Sequence, residues 1–201
     1  MTKDITDFKG GAREKKEFAT ECTQIIAPLD FDFYFEEIKY FDKRRNRPTS
    51  QITIEKSILT IDLGDGELIE LDARLEKVIK EITDSKQILE LQEDWDLSGA
   101  KAIKREIWLA AVKILAKYAR YVLFEFSVII QPPEINPVPN GTIDLSWRTK
   151  NARFLMNIKD QNTGIIASYY GDLYNNEQPI RDKLLNDSII IHLAYWMRNL
   201  A

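Results

Sequence analysis

Asn140-Gly141-Thr142-Ile143-Asp144-Leu145-Ser146-Trp147 joins a tight-turn signal to strict alternation of apolar and polar residues. Asn-Gly favours the positive φ that a two-residue hairpin needs, and the alternation puts one face of a strand against a core. Downstream, Phe154-Leu155-Met156-Asn157-Ile158 repeats that alternation, residues 160–164 make a turn, and residues 165–170 supply a third strand. Short polar connections between neighbours predict an antiparallel meander. Upstream, Pro132, Pro133, Pro137 and Pro139 hold the chain extended but bar it from a central strand, since proline has no ladder donor.

Helical periods flank the meander. Leu75, Val78, Ile79, Ile82, Ile88, Leu89 and Leu91 predict one helix over residues 73–91, kinked around Thr83-Asp84-Ser85. Ile103, Ile107, Ala111, Ile114, Leu115, Tyr118 and Val122 predict a second over about residues 100–123, with Ser98 or Asp96 as N-cap. Pro179 opens a predicted closing helix or helix pair with Ile180, Leu184, Ile190, Leu193, Ala194 and Met197 inward. Before the helices, residues 52–54, 58–63 and 68–71 read as strands around the turn Gly64-Asp65-Gly66, residues 29–35 read as a strand and residues 13–26 as a short helix. The expected fold is α+β, an antiparallel meander with two or three amphipathic helices packed against it. Residues 1–48 form an N-terminal extension or the first strands, and residues 49–201 one α+β domain.

Composition narrows the chemistry. The 201 residues are 44% hydrophobic and 30% charged, ordinary for a globule, with a net charge of -4 that argues against a surface built wholly for nucleic acid. The longest apolar run, residues 118–130, is interrupted by Arg120, Glu125 and Ser127, so no membrane span is expected, and residues 1–8 lack the apolar core of a secretory signal. One cysteine, Cys22, excludes a disulfide framework within the chain, and the expected compartment is the cytoplasm. One histidine, His192, removes two-histidine metal sites, and its apolar surroundings predict a helix residue at a packing boundary or near the surface. No phosphate-cradling glycine motif is present. Neither cofactor nor metal is expected.

The run Leu89-Glu90-Leu91-Gln92-Glu93-Asp94-Trp95-Asp96-Leu97-Ser98-Gly99-Ala100, followed by Pro133-Glu134-Ile135-Asn136-Pro137 and then residues 141–147, resembles the signature of a family of small bacterial proteins. That family carries a leucine-rich helix, a Trp-Asp pair two residues before Gly-Ala, and the proline-flanked strand pattern. The resemblance covers roughly residues 85–170 and leaves residues 1–70 outside. The family has no settled activity and is patchily distributed among bacteria, so it implies a fold unit rather than a reaction, and no catalytic residue carries over.

Five groups of residues are candidates for function. Trp95 and Asp96 serve either as a recognition edge or, preferably, as a structural corner. In the second case Trp95 plugs the gap between two helices and the sheet, Asp96 caps the second helix, and Gly99 permits close approach. A Trp95 plug predicts that truncation costs about 3–5 kcal/mol. Tyr169, Tyr170, Tyr174 and Trp196 are candidates for a partner or self-association surface. Lys43, Arg44, Arg45 and Arg47 could hold phosphates. Glu93, Asp94 and Asp96 offer oxygen ligands to a hard cation, while Asp144 with Asn157 and Lys159 has a nuclease-like outline lacking its second acid. The leading expectation is a non-enzymatic cytoplasmic interaction or accessory domain, of the mobile bacterial defence or toxin–antitoxin kind, that binds another protein or itself. The alternative is nucleic-acid binding through residues 43–47, and the third a carboxylate-dependent, nuclease-like metal enzyme.

Overall fold

Alternation and turn chemistry produce the meander. A computed structural model describes residues 57–161, 164–174, 179–184 and 188–201. The predicted elements at residues 13–26, 29–35 and 52–54 lie outside them. Strands β3 (Glu134–Val138), β4 (Thr142–Arg148), β5 (Ala152–Gln161), β6 (Gly164–Leu173) and β7 (Ile180–Leu184) pair antiparallel in chain order. Register aligns the apolar positions: Ile143 faces Ile158, Leu145 faces Met156 and Trp147 faces Phe154, and then Met156 faces Tyr169. Pro137 sits in edge strand β3, where its missing donor costs least. Gly141, at φ 85°, closes the first hairpin by donating to Val138 O at 2.9 Å.

A second hairpin, β1 (Ile58–Gly64) with β2 (Glu67–Asp72), turns through Gly64, Asp65 and Gly66, all at positive φ. The predicted helix over 73–91 resolves into a 3-10 turn at Ala73–Leu75, helix α1 (Glu76–Asp84) and a 3-10 stretch at Ser85–Glu90. The expected kink falls at Ser85. Its buried hydroxyl donates to Ile82 O (2.8 Å) and accepts from Trp108 Nε1 (3.0 Å).

Helix α2 (Arg105–Phe126) starts five residues later than expected, and neither Ser98 nor Asp96 caps it. Ala100 and Ile103 are buried from an extended segment whose three-residue spacing imitates helical periodicity. That segment is held away from the helix because Lys101 N donates to Pro139 O at 2.8 Å. Buried residues line one broad side of α2: Ile107, Trp108, Ala111, Val112, Leu115, Ala119 and Val122 all lie within the core cluster. Helix α2 meets both β2 and the sheet strands β4 and β5, so it is a middle layer.

The predicted closing helix begins too early. Residues 180–184 are strand β7, and only α3 (Ile191–Met197), continued by a 3-10 turn at Arg198–Leu200, is helical. Ile180 and Leu184 are four residues apart, a spacing that returns to the same face in strands and helices alike. Gly171 lies where a Cβ would stand 2.8 Å from Phe154 and Trp196 ring atoms. His192 is exposed on α3, with the Tyr169 hydroxyl 3.4 Å from its Nε2. Among the described residues no helix is long and apolar enough to cross a membrane.

Candidate functional site

The acidic corner at residues 93–100 closes on itself. Asp94 and Leu97 take left-handed backbone conformations, at φ 64° and 58°, and Gly99 lies at φ 89°. Asp94 Oδ1 accepts from Gly99 N (2.6 Å), and Asp96 Oδ1 accepts from Ser98 N (2.8 Å) and Ala100 N (3.0 Å). Asp94 N donates to Ala100 O at 2.6 Å. Both carboxylates therefore serve their own loop, neither capping α2 nor converging on a cation. A Cβ on Gly99 would meet nothing within 4 Å, so its backbone conformation, not close packing, requires glycine.

Trp95 is half-buried and lies outside the core cluster, and its Nε1 donates to Lys101 O at 3.1 Å. The plug expected at Trp95 is instead Trp108, which is fully buried. Leu97 stands at the loop tip, 88% exposed. The corner abuts the β3–β4 turn: a Cβ on Gly141 would stand 3.4 Å from Lys101 Cβ. Both halves of the sequence pattern, far apart in the chain, thus meet in space.

The remaining sequence candidates do not gather there. Lys43, Arg44, Arg45 and Arg47 lie outside the described residues. Tyr169 is buried, stacked on Phe154 at 5.9 Å, and Trp196 is buried at 5.3 Å from the same ring, so both belong to the core and not to a partner surface. Desolvation raises the Tyr169 phenol above its ordinary pKa, with the Asp182 carboxylate adding to it. Alternation turns Tyr170 outward, and Tyr174 is exposed beyond β6, donating its N–H to Asn151 O. Ten-residue β5 spans about 30 Å. Lys104, just past the corner, pairs with Asp160 at one end of β5, while Asn151 precedes the other, so Trp95 and Tyr174 lie at opposite ends of the fold.

Asn157 Nδ2 donates to Asp144 Oδ1 (2.7 Å) and to Thr142 Oγ1 (2.9 Å). The nuclease-like outline is thereby an amide–carboxylate pair across β4 and β5. Among the described residues no three His, Cys, Asp or Glu side chains are grouped to hold a metal.

One surface escaped sequence reading. Ile191 and Tyr195, one turn apart on α3, are 66% and 56% exposed. Arg198 places its guanidinium 3.5 Å from the Tyr195 ring centroid and 5.0 Å from that of Phe126, while its Nε donates to Tyr195 O at 3.0 Å. Phe126 meets Tyr195 edge-on at 5.9 Å. The signal was present: Leu193, Ala194 and Met197 fill the inward stripe, leaving Ile191, Tyr195 and Arg198 at i, i+4 and i+7 opposite.

No family model matches the chain, and neither the curated proteins nor the solved structures contain a match to it.

Proposed function

We propose that the chain is a non-enzymatic protein-interaction module, an accessory or regulatory domain that meets its partner through the outward face of α3. The observation that carries this reading is the Arg198 guanidinium seated on Tyr195 beside exposed Ile191. Tyrosine and arginine dominate the binding energy of interfaces, and a side chain already held in place loses less entropy on binding. An exposed isoleucine beside them adds apolar area that a partner removes from water. The setting we infer, an accessory protein of a sporadically inherited bacterial system, rests on the single histidine, the single cysteine, the missing phosphate loop and the 10% aromatic content of the chain.

The test is the solution mass of the chain alone and after affinity capture from its host, repeated with Tyr195→Ala and Ile191→Ser. Self-association or a retained partner is expected for the wild type and lost in both variants, with far-ultraviolet circular dichroism unchanged. A strict monomer that retains nothing overturns the reading.

A further inference from the structure

The meander has a second face, pointing away from the core, and its charges are not balanced. Tyr170, 38% exposed, stands on it one strand in from the β7 edge, opposite Leu155 on β5 and Arg181 on β7. Arg153 lies 5.9 Å over the Tyr170 ring, anchored through Nε and Nη2 to Asp172 Oδ2 at 3.1 and 2.9 Å. The same face carries Arg148 opposite Arg153, Lys183 two residues from Arg181, and Lys159 two residues beyond Asn157.

These five cations share the face with three carboxylates, those of Glu134, Asp144 and Asp172. Asp172 is taken by Arg153 and Asp144 is held by the Asn157 amide, while Glu134 stands on edge strand β3. Among the described residues Arg148, Lys159, Arg181 and Lys183 have no carboxylate within ion-pair distance. A chain of net charge -4 thus gathers uncompensated positive charge around one exposed ring.

We propose that this sheet face binds single-stranded nucleic acid, with a base stacked on Tyr170 against Leu155 and phosphates held by Arg148, Arg181 and Lys183. A flat strand surface with an aromatic ring amid cations suits an unpaired base, whose ring face is free, and not a duplex, whose bases are stacked inside. An acidic peptide would use the cations but gain no base stacking on the ring. The surface is separate from the outward face of α3 and is built from residues other than Lys43, Arg44, Arg45 and Arg47.

The experiment is fluorescence anisotropy of the full-length chain with labelled oligo-dT and oligo-rU of about 20 nucleotides, between about 50 and 200 mM salt. Three phosphate contacts predict an affinity falling with a log–log slope of about -2. Tyr170→Ala weakens binding roughly tenfold and Tyr170→Phe restores it, because stacking needs the ring and not the hydroxyl. The exposed double change Arg181→Glu with Lys183→Glu reduces the slope's magnitude by about 1 to 2. Absence of binding at the lowest salt overturns the proposal. So does equal affinity for a duplex, equal competition by polyglutamate, or indifference to both sheet variants. Binding abolished by neutralising Lys43, Arg44, Arg45 and Arg47, with the sheet variants unaffected, also overturns it and moves the contact to that segment.

Discussion

The acidic corner and the α3 face use similar residue types to opposite ends. In the corner, carboxylate oxygens accept from the N–H groups of their own loop and the indole N–H donates to Lys101 O. On α3, a ring and a guanidinium satisfy each other by stacking, which leaves their outer surfaces available to a partner. Density of charged and aromatic residues does not by itself mark a site. What matters is whether their polar atoms and faces are already occupied, and that is decided by the backbone path.

The sharpest way to break this contrast is to truncate the two tryptophans. Trp108→Ala leaves a large cavity and removes the indole N–H that the buried Ser85 hydroxyl accepts, so a loss of about 3–5 kcal/mol is expected in urea unfolding. Trp95→Ala removes one hydrogen bond and a half-buried ring, with an expected loss of about 1–2 kcal/mol. Equal losses would restore the corner as a core plug.

Next in size is Gly171→Ala, which forces a methyl group against Phe154 and Trp196 beneath α3. Overpacking of this kind costs about 1–3 kcal/mol. A neutral result would show that α3 lifts easily from the sheet, and would weaken the case for a rigid outward face. Asp96→Ala removes the acceptor of two backbone N–H groups and should cost about 1–2 kcal/mol while leaving the start of α2 intact by amide exchange. Faster exchange in the first turn of α2 would return Asp96 to the capping role.

Tyr195→Ala should change stability by no more than about 0.5 kcal/mol, measured by thermal unfolding, because the side chain is mostly exposed. A larger loss would make the stack on α3 structural. The smallest effect concerns pH. The Tyr169 phenol is raised in the folded state, so its contribution is fully present below the unfolded value near 10 and is lost as pH rises through the folded value. Tyr169→Phe should remove that alkaline decline, and an unchanged profile above about pH 10 would rule out this source.

Much of the architecture was legible because it rests on period and turn chemistry. The alternation in residues 142–147 and 154–158 and the glycines at 64, 66 and 141 specify hairpins locally. Boundaries failed where a spacing fits two structures, as at Ile180 and Leu184 or Ala100 and Ile103. Tyr169 and Tyr170 are adjacent and chemically identical, yet one stacks on Phe154 and the other faces outward. Strand alternation separates them, but only the sheet's register decides which is inside.

The amino-acid order alone determined that this chain builds an antiparallel meander with amphipathic helices, because hydrophobic period and turn residues act over a few neighbours. Tertiary structure alone decided that Trp108 and not Trp95 fills the core, that α2 is covered on both sides, and that α3 leaves Ile191, Tyr195 and Arg198 outward. Burial depends on which distant surfaces meet, and no local pattern contains that information.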